Sequence, residues 1–238
     1  MKKRQEKLLK LIVKEYVKTA DPISSQYLLE KYNLDICSAT IRLDMAELTE
    51  SGYLLKPHTS SGRIPTEKAY RFFIRKISEP KLSQNTEKKI EKIFEKKEKE
   101  NVTHDLGRFL SSTSKNVSLL FFGEEATWQG LSLLFSQPEF YDLHEVLDFT
   151  RAFEDIFESL RMGVEMGFDD FFEDDEEEDH DVKVFIGRNN PFVRSDDLSL
   201  VFSNWDEGSI GILGPTRMDY LRNIALIKKA KDLLNRSF

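Results

Sequence analysis

The stretch from Ser38 to Thr66 constrains the fold of this chain more than any other. Ile41, Met45 and Leu48 recur at i, i+4 and i+7, a spacing that gives a helix one buried face. Ser38 is placed to cap that helix, and Gly52 to end it. Lys56-Pro57-His58-Thr59-Ser60-Ser61-Gly62-Arg63-Ile64-Pro65-Thr66 follows at once. Pro57 and Pro65 stiffen two stems, and Gly62 lets backbone approach closely between them. A helix leading into a basic hairpin is therefore expected.

Two more helical patterns precede it. Glu6 to Thr19 places Leu8, Leu11, Ile12, Glu15 and Tyr16 on one stripe and stops before Asp21-Pro22, because the residue ahead of proline is steered away from the helical region. Ser24 or Ser25 can cap the second helix, which carries Tyr27, Leu28 and Tyr32. Three short helices and a hairpin, in that order, describe a winged helix-turn-helix. In such a head the third helix enters a DNA major groove and the hairpin lies along the backbone. Thr66 to Ser78 continues as a further helix, with Tyr70, Phe73 and Ile74 apolar.

The candidate DNA-binding residues follow from that order. Ser38, Thr40 and Arg42 sit at the start of the third helix, where base edges are reached. Lys56, His58, Thr59, Ser60, Ser61 and Arg63 line the hairpin with groups that donate to phosphate. A polar turn alone explains the glycine and prolines of this loop but not the crowding of donors.

The net charge of −7 hides a division. Residues 1–80 hold 15 Lys+Arg against 10 Asp+Glu, residues 81–115 hold 9 against 6, and residues 116–238 hold 11 against 26. The basic end suits a polyanion and the acidic end is repelled by one. Cys37 is the single cysteine, so no internal disulfide forms, and four scattered histidines suggest no metal cluster. No apolar run has membrane-spanning length and no apolar signal core follows Met1, so a cytoplasmic protein that does not enter membranes is expected.

Residues 81–115 read as a linker and one long charged helix, Glu87 to Leu110, available for spacing two heads and joining a partner helix. Residues 116–238 read as an α+β domain. Its strands are expected at Val117–Phe122, Leu131–Phe135, Val182–Ile186, Leu198–Ser203 and Ser209–Leu213. Its helices are expected at Asp142–Met162 and Arg217–Leu234. Residues 169–181 hold 10 acidic side chains in 13 and read as a solvated loop. Gly211 to Arg217 reads as a tight turn with Thr216 capping the last helix. No spacing singles out a nucleophile, a metal motif or a phosphate loop, so neither an enzyme nor a cofactor is implied.

Ser38-Ala39-Thr40-Ile41-Arg42, Asp44-Met45, Gly52-Tyr53-Leu54, Pro57 to Thr66 and Tyr70-Arg71 together resemble the HrcA family of heat-inducible transcription repressors. Gln137-Pro138-Glu139-Phe140, Val184-Phe185-Ile186-Gly187 and Gly211 to Tyr220 resemble the family's C-terminal domain. The resemblance implies a homodimer that binds an inverted-repeat operator (CIRCE) ahead of chaperone operons, with the chaperonin GroEL assisting its active fold. It implies a winged-helix head, a GAF-like domain and an inserted dimerisation segment; for this shorter chain the expected fold is a winged-helix head, a long connecting helix and a reduced GAF-like α+β domain. Leu43, Ser24 and Ala69 depart from the family pattern, as does the short distance between Phe122 and Gln137. A ligand-sensing winged-helix regulator of other genes is the alternative, and it calls for a polar pocket near Gly211 to Arg217. An interaction adaptor with a vestigial head is a third reading, in which DNA is not bound.

Overall fold

The computed structural model describes residues 1–58, 61–76, 80–95, 99–123, 125–166, 181–187 and 197–238, with backbone alone at 99–100, 156 and 159–166. The chain divides into two compact units, Met1–Ser78 and Glu79–Phe238.

The first unit contains α1 (Lys3–Thr19), α2 (Ser25–Tyr32) and α3 (Ser38–Glu50). A hairpin of β1 (Leu54–Leu55) and β2 (Ile64–Pro65) follows, and then α4 (Glu67–Lys76). Leu8, Leu9, Ile12, Leu28, Ile41, Met45, Leu48, Leu54 and Phe73 form one core, so each helix spends its apolar stripe on the others. Ser24 caps α2 by accepting from the Tyr27 amide at 3.1 Å. Gly52, at φ 76°, takes the left-handed turn after α3 that favours glycine.

The second unit opens with α5 (Gln84–Phe94) and α6 (Lys99–Ser114). These replace the single helix expected from Glu87 to Leu110. They pack against each other and against the last helix, which one continuous rod cannot do. Ile90, Leu106 and Leu110 are fully buried, so the stripe read as a face for a partner helix is spent inside its own unit. Residues 81–115 fall within the second unit, Glu79–Phe238.

Five strands form one sheet in the order β4-β3-β7-β6-β5, every neighbour antiparallel. They are β3 (Val117–Phe122), β4 (Glu125–Gln129), β5 (Lys183–Ile186), β6 (Leu198–Trp205) and β7 (Gly208–Pro215). The expected strand at Leu131–Phe135 is instead a helix, α7, and the strand beside β3 is β4. A short apolar run fits either state, and here Gly130 turns the chain at φ 102° into a helical turn. The sheet is covered on both faces. Val117, Leu119, Phe121, Leu200 and Phe202 meet Phe140, Phe149 and Phe153 from a 3-10 turn (Pro138–Phe140) and α8 (Leu143–Met166). On the other face, α6 and α9 (Tyr220–Ser237) lie against β3, β6 and β7. Burial on both faces explains why β3 is apolar at every position but Ser118, whose hydroxyl donates to the Gly107 carbonyl of α6 at 2.7 Å, rather than alternating.

The acidic residues 169–180 lie outside the described residues. Asp181, at the end of that block, accepts from the Lys231 ammonium of α9. No helix among the described residues is long and apolar enough to cross a membrane.

Candidate nucleic-acid interface

Helix α3 buries Ile41, Asp44, Met45 and Leu48 and turns Ala39, Arg42, Leu43 and Glu50 outward. Its N-cap is Cys37, not Ser38 as the spacing suggested. The backbone is still extended at Cys37 and helical from Ser38, so Ser38 is the first residue of the helix. The Cys37 thiol meets the Thr40 hydroxyl at 3.2 Å, and that contact pulls the thiol pKa below its ordinary value. Ser38 and Thr40 are half-buried beside it, and Arg42 is exposed. The Arg42 Nε donates to Ser25 Oγ at 3.3 Å, which aims the guanidinium toward the start of α2.

Two buried carboxylates hold this frame, and spacing alone did not single out either one. Asp44 is fully buried under α3 and accepts both Nε and Nη2 of Arg4, at 2.6 and 2.9 Å. Glu15, fully buried on α1, accepts from the Lys31 ammonium, from Tyr27 Oη at 2.7 Å and from Tyr32 Oη at 2.5 Å. Burial alone pushes the Glu15 carboxyl up; the bonds from Lys31, Tyr27 and Tyr32 outweigh it and hold the pKa at about 2. Burial and the same carboxylate push Tyr32 up to about 12. The only trace in the sequence is an acid on a core-facing helical position: Glu15 in the stripe of α1, and Asp44 beside Ile41 and Met45.

The described residues of the hairpin are held by backbone and side-chain bonds. Leu54 pairs with Pro65 and Leu55 with Ile64. Ser61 closes the tip, its Oγ accepting from the His58 amide at 2.9 Å and donating to the His58 carbonyl at 2.7 Å. Lys56 and His58 are exposed; Thr59 and Ser60 lie outside the described residues. Arg63 exchanges two backbone bonds with Ile23, each 2.9 Å, and its side-chain Nε donates to Thr49 Oγ1 of α3 at 3.0 Å. Gly62 makes this crossing possible, since a Cβ there would lie 2.5 Å from the backbone of Ile23. The expected close approach at Gly62 is thus to the chain's own backbone.

Charge sorts itself within this unit. Glu6 pairs with Lys76, Glu15 with Lys31, Asp44 with Arg4, Glu47 with Lys2 and Glu67 with Arg71. Among the described residues, no carboxylate pairs with Arg42, Lys56 or Arg63, nor with Lys3, Lys7 or Lys10 of α1; the first three lie on α3 and the hairpin. Ser38, Thr40 and Arg42 share one end of α3, and Arg63 meets its other end through Thr49.

In the second unit, the turn after β7 differs from the expected one. Asp219, not Thr216, caps α9, its carboxylate accepting from the Arg222 amide at 3.2 Å. Arg217 lies ahead of the helix, paired with Glu139 and donating to Gln137 Oε1 at 3.1 Å. Its guanidinium is therefore committed to the 3-10 turn and does not sit in the first turn of α9. A cavity of about 670 Å³ opens among Thr103, His104, Leu120, Phe122, Glu125 and Thr127, on the side of β3 and β4, and does not include residues 211–217.

Comparison with known proteins adds the lineage. A "Heat-inducible transcription repressor HrcA" from Carboxydothermus hydrogenoformans is 42% identical over 118 residues, 49% of this chain and 33% of that protein. Another of that name, from Thermodesulfovibrio yellowstonii, is 36% identical over 156 residues, 64% of this chain and 42% of that protein. The chain thus spans between a third and about two fifths of the length of these curated relatives. A crystal structure described as that of a hypothetical protein superposes with a TM-score of 0.64 at 20% identity, covering 100% of this chain and 98% of that one, which is a likeness of fold. The model of the HrcA protein C-terminal domain matches residues 58–224, from the hairpin tip through the whole sheet into α9. A match of that extent, across both units, places this chain in the HrcA family.

Proposed function

We propose that this protein is a transcriptional repressor of heat-shock chaperone genes, with Met1–Ser78 as a winged-helix DNA-binding head. The observation that carries the reading is the pairing of α3 and the hairpin through Arg63 and Thr49. Helix α3 turns Arg42 outward, and the hairpin presents Lys56 and His58 beside two backbone bonds that fix its base. The relatives' printed name, heat-inducible transcription repressor, supports the same reading. Ser38, Thr40 and Arg42 would read base edges. Lys56, His58, Thr59, Ser60, Ser61 and Arg63 would hold phosphates.

One such head makes few base contacts, and two heads on an inverted repeat multiply them, so a homodimer on a CIRCE-type operator is the natural working form. The second unit serves as a GAF-like body. The chaperonin GroEL would tune the population of active repressor in the cytoplasm. Binding isotherms on a chaperone-promoter duplex and on a scrambled duplex, across salt and with or without chaperonin, test this. Preference for the promoter with a steep salt slope is expected. Equal, salt-independent signals on both duplexes would sink it.

A further inference from the structure

The outward face of α3 is apolar at its centre. Ala39, Leu43 and Ala46 follow one another at helical spacing, opposite the buried Ile41, Asp44, Met45 and Leu48. Leu43 is 59% exposed, and Ala39 is exposed beside it. More than half of this large aliphatic side chain lies in water at the middle of the helix. Within the same helix, the donors lie to one side: Arg42 reaches Ser25, and Thr40 reaches Cys37. The flank that would bear on bases therefore offers methyl groups rather than hydrogen bonds at its centre.

The major groove displays one apolar group, the C5-methyl of thymine. Polar base edges cannot satisfy Leu43, whereas a thymine methyl buries against it. The small side chains of Ala39 and Ala46 allow the helix backbone to come close enough for that contact. Charge sets which end of the helix inserts. Arg42 lies in its first half, while Glu47 and Glu50 lie in its last turn, where phosphate repels them. Leu43 stands between these two regions, at the centre of the outward face.

We propose that Leu43, flanked by Ala39 and Ala46, is a specificity-determining residue that selects thymine through its C5-methyl group. This assignment rests on the DNA-binding reading above. It adds a second kind of recognition to the hydrogen bonding of Arg42, one that distinguishes bases by an apolar contact.

The test uses the full chain and a randomised duplex pool. Sequences enriched by the wild-type protein are remade with deoxyuridine replacing thymine at one position at a time, which removes only the methyl. Each duplex is then measured against wild type, Leu43→Ala and Leu43→Asn. Thermal melts confirm that the variants keep their fold, as expected for an exposed position. The expected result is at least one position where deoxyuridine costs the wild type about fourfold in affinity, the equivalent of roughly 0.8 kcal/mol for one buried methyl. At that position the same change costs either variant less than about twofold. Equal losses in all three proteins at every position, or no loss in any, overturn the assignment. A wild-type protein that enriches no sequence overturns the DNA-binding reading itself, and the methyl assignment with it; that outcome differs from the others because no duplex is retained.

Discussion

Arg4 closes a two-bond fork on Asp44, Nε to Oδ2 at 2.6 Å and Nη2 to Oδ1 at 2.9 Å, and so ties the first turn of α1 to the underside of α3. The carboxylate is fully buried and the guanidinium half-exposed, so the pair fixes how α3 is held while its outward face stays clear. Lys2 and Gln5 reinforce it by donating to Glu47 at 3.2 and 2.5 Å. Arg4→Ala and Asp44→Ala should each lower Tm, and the double variant should lose less than the sum of the two. Thermal melts of the four proteins measure this, and strict additivity would show that the fork is not coupled.

Glu15 should dominate the acid limb of stability in the first unit. Its pKa is lowered from the ordinary 4.5 to about 2, so the folded state holds the charged form more tightly than the unfolded chain. Its stabilisation is complete above pH 4.5 and disappears as pH falls through about 2. Glu15→Gln should cost roughly 2–4 kcal/mol at neutral pH, by leaving Lys31, Tyr27 and Tyr32 without the anion. Denaturant titrations at stepped pH should show the gap between wild type and variant closing across that window. A gap that stays constant down to the lower limit would rule the carboxylate out as the cause.

Gly62→Ala should loosen the hairpin. The added Cβ would meet Ile23 backbone at 2.5 Å, and neither strand can give way without losing the Ile23–Arg63 bonds. A cost of roughly 1–3 kcal/mol is expected, as for other overpacked sites. Amide exchange at Arg63 and Ile23 should quicken in step. Unchanged protection at both amides would contradict the crossing.

Arg42 and Arg63 should separate into two kinds of DNA contact. Arg42→Ala should cost roughly 1–3 kcal/mol on the preferred duplex and little on a scrambled one. Arg63 donates its Nε to Thr49 and its Nη1 to the Gly62 carbonyl at 3.4 Å, leaving Nη2 for phosphate. Arg63→Ala should therefore weaken both duplexes alike and lower the salt slope by about 1. Competition isotherms at two salt concentrations decide, and an unchanged ratio of affinities for Arg42→Ala would remove it as a base reader.

Helix order in the first unit and most strands of the second were legible because both rest on local periodicity. Ile41, Met45 and Leu48 mark the buried side of α3 at any tertiary arrangement, and Gly52 marks its end. Leu131–Phe135 was not legible, since five apolar residues carry no period long enough to separate helix from strand. The division into α5 and α6 was hidden for a related reason: each half keeps a helical stripe, and only the packed structure shows the two in contact with each other and with α9.

By itself, the sequence determined the succession of helices and hairpin, the basic first part and acidic remainder of the chain, and the family. These depend on residues close together in the chain, or on plain counts of charge. Only the tertiary structure decided which polar groups are buried and what they meet. Arg4 and Asp44 are separated by 40 residues, and Arg217 and Glu139 by 78, distances over which spacing carries no pairing information. A carboxylate enters a core only where donors from other elements converge on it, and that convergence is a property of the packed fold rather than of any one helix.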